Sequence, residues 1–433
     1  MRIPCRDSVV YRYFMPARSG FLIACAALCA ACAHPRIGTG VSGAGAREAP
    51  DESCLLNTGS VSVRAATITI GLTDAVDPQH APLPRNDAER LVFRHLYDTP
   101  VRLDCEGHAQ PELAEQWVKD DGGRRWTFRL RDDAHFWDGA PVTAQDIVFG
   151  RSGVGYTLGA LETRVVTMTL AKPQDEVPRV LGDAAMAVTK PAPDSSWPIG
   201  TGPYWATSAT TTAQEIRAHS SRGDTVVFKF AASGDARDLL DTGVDLLVTR
   251  DRALRDYAAT LQNITVVALP WDRTYVYVTA EAGGTRFDGL EQAVRAEARR
   301  AEGGFWWLDL RACGSASGQA NSPPASTGQR RILYSRSDLT ARELAGRLAA
   351  LTHAVATGRP ADDFTSAVAA GKDWGYVVAL PRVTADPCRT ARNLLPAWPA
   401  TLTALVDTRP TAIVRRGVAR WTVDQDGTVH LAP

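Results

Sequence analysis

Residues 112–150 read ELAEQWVKDDGGRRWTFRLRDDAHFWDGAPVTAQDIVFG. From Arg125 to Arg131 the residues alternate. Trp126, Phe128 and Leu130 fall on one side, and Arg125, Thr127, Arg129 and Arg131 on the other. That period of two marks a half-buried strand. Asp138-Gly139 supplies a turn. Thr143, three residues before Asp146, has the spacing of a capping box, with Thr143 accepting from the first helical N–H groups. The stretch therefore encodes a strand, a turn and a helix start. Its aromatic residues, Trp117, Trp126, Phe128, Phe136 and Trp137, are read as core rather than as a stacking surface.

Working outward, the chain has 433 residues, 45% hydrophobic and 22% charged, with 48 basic and 48 acidic side chains. This length and balance allow two or more lobes with their own cores. Neutrality argues against a nucleic-acid partner, which favours a basic excess. No G-x-S-x-G elbow, H-E-x-x-H pair or phosphate-binding G-x-x-x-x-G-K-[ST] loop occurs, so no catalytic residue is assigned. The histidines are scattered and the four cysteines beyond Cys32 show no C-x-x-C spacing, so no metal or cofactor site is assigned. His95 is read as closing a helix face.

The first 31 residues have the form of an export signal. Arg2, Arg6, Arg12 and Arg18 precede a short apolar run, Phe21 to Ala31, too short to span a bilayer as an anchor. Cys32, after two alanines, is the expected lipidated residue. Cys25 fits the letters of such a signal but leaves little apolar core before it, and Met15 is an alternative start. Residues 32–60 are rich in Gly, Ala, Ser and Pro and are expected to form a flexible tether. The G-x-G-x-x-G at Gly38–Gly43 lies in this linker composition and is not read as a nucleotide site. Cys54, Cys105, Cys313 and Cys388 remain. In an exported chain they suggest disulfides. Three pairings are possible, and chain order favours Cys54–Cys105 and Cys313–Cys388.

Elsewhere, Thr67–Leu72 reads as a first strand. Asp87–Tyr97 follows as a helix with Leu91, Val92, His95 and Leu96 on one face. Val226–Phe230 is a strand, and Asp235–Leu246 a short helix, a turn and a strand. Thr274–Thr279 and Ile332–Tyr334 are strands, and Glu291–Glu302 a helix. Ser315–Gln329 is a loop. Asp338 caps a helix to about Val355, with Leu344, Leu348 and Leu351 inward. Thr411–Val414, Arg420–Val423 and Thr428–Leu431 are short strands, with Asp426-Gly427 as a hairpin turn.

The opening stretch resembles a signature of the extracellular solute-binding proteins of the peptide/nickel type, family 5. The matching residues are Pro111, Leu113, Ala114, Trp117, Phe128, Leu130, Arg131, Phe136, Asp138, Gly139, Pro141, Thr143, Ala144, Asp146 and Val148. Gly200-Thr201-Gly202-Pro203-Tyr204 resembles a second family segment, read as structural, and Asp74–Pro78 resembles the turn after the family's first strand. Past Leu246 the likeness fades, and Thr279-Ala280 stands where the family writes Phe-Asn.

The resemblance implies an α/β, periplasmic-binding-protein type 2 fold with two lobes around a hinge and a small extra subdomain. It also implies a lipid-anchored, monomeric binding protein of an ATP-driven importer, not an enzyme, that takes a peptide-like solute and docks on a membrane permease. The expected division is a first lobe over 61–280, with the small subdomain at about 97–198. A reduced second lobe spans 281–405, and 406–433 returns to the first. Ligand contacts are expected from Trp271, Arg273 and Tyr275 at the hinge strand and from Trp306, Asp309 and Arg311 in the second lobe. An Arg suits a carboxylate and an Asp an amine. Asp74 and Asn86 are further candidates. A degenerate relative without transport, and an exported hydrolase, are the alternative functions.

Overall fold

The computed structural model describes residues 54–59, 66–120, 122–149, 151, 153, 155–231, 234–279, 306–307, 311–315, 329–382 and 401–432. The β-branched run Thr67–Leu72 forms β1, whose Ile68, Ile70 and Leu72 are buried. Helix α1, Asp87–Leu96, starts at Asn86, whose side chain accepts from the Glu89 N–H. Leu91, Val92, His95 and Leu96 all point inward. The His95 Nδ1 lies 2.7 Å from the Leu91 carbonyl, and burial pushes its pKa down to about 4. The imidazole is thus neutral and donates within its own helix.

The quoted stretch builds a small separate sheet. After the short pair β2, Val101–Leu103, and β3, Ala109–Pro111, come β4, Ala114–Lys119, and β5, Arg125–Leu130. Helix α2, Ala144–Val148, leads to β6, Tyr156–Glu162, and β7, Val165–Leu170. The sheet order is β4-β5-β7-β6. Trp126, Phe128 and Phe136 are buried in its core, and Trp117 and Trp137 pack against it. The Asp146 carboxylate accepts from both the N–H and the hydroxyl of Thr143, at 2.8 and 2.7 Å. Gly200 and Gly202 bring the chain back against α1. A Cβ at Gly200 would lie 2.2 Å from the Leu96 carbonyl oxygen, so no side chain fits.

The chain then completes the first large sheet. Strands β8, Glu215–His219, and β9, Thr225–Phe230, are followed by α3, Arg237–Asp241, and β10, Leu246–Thr249. Next come α4, Arg252–Ala258, and β11, Ile264–Ala268. The second large sheet begins with β12, Arg273–Thr279, then β13, Trp306–Trp307, β14, Arg311–Ser315, and β15, Arg331–Ser335. Helix α5, Leu339–Thr352, β16, Val355–Arg359, α6, Ala361–Ala370, and β17, Gly375–Pro381, follow. Then β18, Thr401–Thr408, closes this sheet, and β19, Thr411–Arg415, returns to the first. The hairpin β20, Trp421–Val423, and β21, Val429–Leu431, ends the described chain.

The first sheet has the order β11-β19-β10-β1-β9-β8, with β1 parallel to both β9 and β10. The second has the order β13-β18-β12-β17-β15-β16, with β14 also on β18, and its β15 is parallel to β16 and β17. The chain crosses between the sheets twice, at 269–272 and at 409–410. The two crossings run side by side: Leu269 N–H donates to the Pro410 carbonyl at 3.0 Å and Asp272 N–H to that of Thr408 at 3.4 Å. The first crossing therefore falls near residue 270, earlier than the boundary of 280 read from the sequence. The whole of β12 is bonded between β17 and β18 and belongs to the second sheet.

Two further expectations need correction. Residues 54–59, assigned to the tether in the sequence, pack on the core of the first sheet. Leu55 bridges Thr422, Leu56 N–H donates to the Trp421 carbonyl at 2.8 Å, and Leu56 is buried in the first core. Leu351 is 46% exposed, because α5 ends one residue later with His353 in the left-handed region at φ 54°. The inward face of α5 is Leu344 and Leu348 with Ala341, Ala345 and Ala349.

Cys54 and Cys105 form a disulfide that closes a separation of 51 residues and fixes the segment before β1 to the turn between β2 and β3. The Cys313–Cys388 pairing, the export signal with Cys32, and the 291–302 helix lie outside the described residues. Replacing both Cys54 and Cys105 with Ser is expected to lower stability by about 2–4 kcal/mol. The check is thermal unfolding, where the difference from the parent protein must vanish once a thiol reductant is added.

Candidate functional site

Parallel strands present their carboxyl ends on one edge, and in open α/β sheets that edge is where ligands bind. Here both large sheets turn such ends toward the same space. Thr73 and Asp74 follow β1, Arg250 and Asp251 follow β10, and Arg336 to Asp338 follow β15. All line one cleft of ≈ 1680 Å³ between the sheets. The first wall also includes the 82–86 loop and the start of α1. The second wall adds Phe364 and Val368 of α6 with Val378 and Leu380 of β17. The cleft thus has a charged side and an apolar side, as a site for an amphiphilic small molecule requires.

The charged side centres on the crossing. Arg250 donates through Nε to Asp87 at 2.8 Å and through Nη2 to Asp272. Arg273, at the start of β12, donates to the other Asp87 oxygen at 2.6 Å, and its Nη1 is 3.8 Å from Asp338. Arg90 stands 3.7 Å from Asp272. Asp338 is fixed in turn. It accepts from the Tyr275 hydroxyl with both oxygens at 3.0 Å and caps α5 through the Ala341 N–H at 2.9 Å. Burial opposes ionisation of Asp87, but Arg250 and Arg273 outweigh it and hold the carboxyl well below its usual range.

Asp74 differs from its neighbours. Its carboxylate also lines the cleft, yet desolvation and the nearby Asp87 raise its pKa, with Arg273 opposing. The cluster of Asp74, Asp87, Asp272 and Asp338 with Arg90, Arg250 and Arg273 carries one more acid than base. A positive group from a solute would complete it.

Of the residues singled out in the sequence, Asp74, Asn86 and Arg273 line the cleft. Asn86 is occupied as the cap of α1 and also donates to the Ala75 carbonyl at 2.9 Å. Trp271 and Tyr275 do not line it. Trp271 packs under the Arg409 guanidinium, 4.4 Å above its ring. Tyr275 is wholly buried and serves to hold Asp338. Trp306 and Arg311 sit on strands paired with β18, on its far side from β12 and from the β15–β16 end of the sheet, and their side chains are not described. Asp309 lies outside the described residues. Sequence reasoning missed Arg250 and Asp87 as site residues, while Asp272 stood inside the hinge segment Trp271–Tyr275 without being singled out. Arg250 had a signal: it directly follows the strand Leu246–Thr249. Among the described residues no group of three or more His, Cys, Asp or Glu is arranged to hold a metal.

Comparison with known proteins gives the following. Residues 108–219 match the family model for bacterial extracellular solute-binding proteins, family 5 Middle. The probable deoxycholate-binding periplasmic protein YgiS of Escherichia coli is 41% identical over 75 residues, 17% of this chain and 14% of that protein. The periplasmic oligopeptide-binding protein OppA of Escherichia coli is 44% identical over 61 residues, 14% of this chain and 11% of that protein. The alignments thus span only a small part of those relatives' own lengths. The structure of the Escherichia coli murein tripeptide binding protein MppA superposes with a TM-score of 0.59 at 14% identity, covering 86% of this chain and 99% of that one. At that identity the likeness is one of fold, the two-lobed type 2 periplasmic-binding-protein architecture.

The network makes its own prediction. Arg250→Ala leaves Asp87 and Asp272 without their shared cation and is expected to cost about 3–5 kcal/mol. Asp87 is depressed, so its ion-pair stabilisation is complete above the ordinary carboxylate pKa of about 4 and is lost as pH falls toward the depressed one. Urea unfolding of both proteins should therefore show a gap at pH 7 that narrows below pH 4.

Proposed function

From the premise that this chain belongs to the bacterial extracellular solute-binding proteins of family 5, we propose that it captures a peptide-like small solute between its two sheets. It then delivers that solute to the membrane permease of an ATP-driven importer. The observation that carries the reading is the cleft itself. It lies where the parallel strand ends of both sheets converge, beside a two-stranded crossing able to act as a hinge. Closure follows from a solute's greater affinity for the closed state. The relatives named above as binding oligopeptide and murein peptide support a peptide-like solute, and the mixed lining agrees with it. Phe364, Val368 and Leu380 offer apolar surface, while Asp74 offers a partner for an ammonium group. The likeness to solute-binding proteins supports a binding role rather than catalysis.

The basic start, short apolar run and Cys32 support export with a lipid anchor, the mature protein working as a tethered monomer outside the inner membrane. Cys32→Ser is expected to move the protein from the membrane fraction to the soluble one. Retention of the variant in the membrane fraction would exclude Cys32 as the anchor.

Titration with di- to pentapeptides, amino compounds, bile acids and a nickel–histidine complex, followed by thermal shift and calorimetry, tests the main reading. A free-amine peptide should raise the melting temperature in a concentration-dependent way. No shift from any member of the panel would sink the reading. Asp74 adds a pH signature. An ammonium group needs its ionised form, and its pKa is raised. Affinity should therefore fall on acidification from neutral, beginning above the ordinary carboxylate range. Asp74→Asn should weaken binding at pH 7 by about tenfold, the effect of losing one charge-assisted hydrogen bond, and flatten the pH dependence.

A further inference from the structure

The lip of the first wall is the segment 77–86, and one buried carboxylate holds it in place. Glu89, on α1, is 1% exposed. It accepts from the Asp77 N–H at 3.1 Å and the Arg85 N–H at 2.7 Å, and its Oε1 is 2.6 Å from the His80 Nδ1. Asn86 adds its bonds to Ala75 and Glu89 on the other side. The backbone of Arg85 is thereby fixed at the edge of the cleft. Its side chain then crosses to the opposite wall, with Nη1 at 2.9 and 3.0 Å from the two oxygens of Asp362.

Asp362 sits in the first turn of α6, directly after β16. In the second sheet β16 is three strands from the crossing strand β12, about 14 Å at the usual strand spacing. The pair between Asp87 and Arg273, by contrast, is made by β12 itself. An opening rotation moves a point in proportion to its distance from the hinge. The Arg85–Asp362 pair therefore parts early in opening, while the Asp87–Arg273 pair at the crossing moves little.

We propose that Arg85 and Asp362 form a rim latch that biases the cleft toward its closed form, and that Glu89 is the positioning residue that aims Arg85. The latch joins two side chains of the protein itself and does not depend on which solute is bound. Both side chains are solvent-exposed, so the bias is modest and sensitive to salt. A weak latch suits a binding protein, because a strong one would hinder entry and release of the solute.

The test needs no solute, so failure of the solute panel above would leave it intact. Fluorophores are attached through unnatural amino acids at the exposed Leu161 and Leu351, and open and closed populations are counted by single-molecule energy transfer. Arg85→Glu and Asp362→Arg should each raise the open-to-closed ratio about two- to fivefold. The double charge swap should restore it. Raising the salt from 20 to 500 mM should open the parent protein more than either single variant. Glu89→Gln should shift the ratio in the same direction, and adding it to Arg85→Glu should give little further change. Unchanged ratios in the single variants, or no rescue in the double swap, would overturn the latch. Additive effects of Glu89→Gln and Arg85→Glu would overturn the positioning role. Far-ultraviolet circular dichroism identifies any variant that has lost its fold, and Arg85→Gln and Asp362→Asn then replace the reversals with the same expectation for the single variants.

Discussion

The carboxylate of Asp87 is the point on which the cleft is built. It accepts from Arg250 at the end of the first sheet and from Arg273 at the start of the second. Arg250 in turn reaches Asp272, in the crossing between them. These are buried or half-buried charges that share partners, so removing one leaves its neighbours less well compensated. The network therefore fixes the first turn of α1, the end of β10 and the first residue of β12 relative to one another. The walls of the cleft are arranged around that corner.

A second ionic cluster performs a similar task away from the crossing. Arg94 of α1 pairs with Glu112 and Asp424, and Asp424 also receives Arg102 and His430. It joins α1, the β2–β3 pair and the terminal hairpin. Burial opposes the charge on Asp424, but His430, Arg94 and Arg102 hold its pKa well below the usual range. Helix α1 thus carries ionic anchors at both ends, one toward each neighbouring body. That accounts for a helix so short presenting Asp87, Arg90 and Arg94 to the same cleft.

Local pattern made much of the fold legible. The alternation of Trp126, Phe128 and Leu130, the Asp138-Gly139 turn and the Thr143–Asp146 box are properties of neighbours in sequence. Each became the element its spacing called for. The glycines at 200 and 202 were recognisable as a tight path, although the reason, contact with the Leu96 carbonyl, was not. Leu351 shows the limit of such reading. It continues the helical stripe of Leu344 and Leu348, yet the helix stops beside it and leaves it in solvent. The aromatic Trp271 and Tyr275 looked like cleft walls because aromatics often line binding sites. One is covered by Arg409 and the other faces Asp338 from inside the core.

The sequence by itself determined the local elements, because these rest on periods of two and 3.6 residues and on turn chemistry within a few positions; the two-lobed class was an expectation carried by the family resemblance of Pro111–Val148 and Gly200–Tyr204. Tertiary structure alone decided the site. Asp87, Arg250, Asp272 and Arg273 come from three separate stretches of chain, and Arg85 meets Asp362 across 277 positions. No local spacing encodes which charges face one another across a cleft. That follows only when parallel strand ends from two sheets are brought to one edge, where burial makes pairing of those charges obligatory.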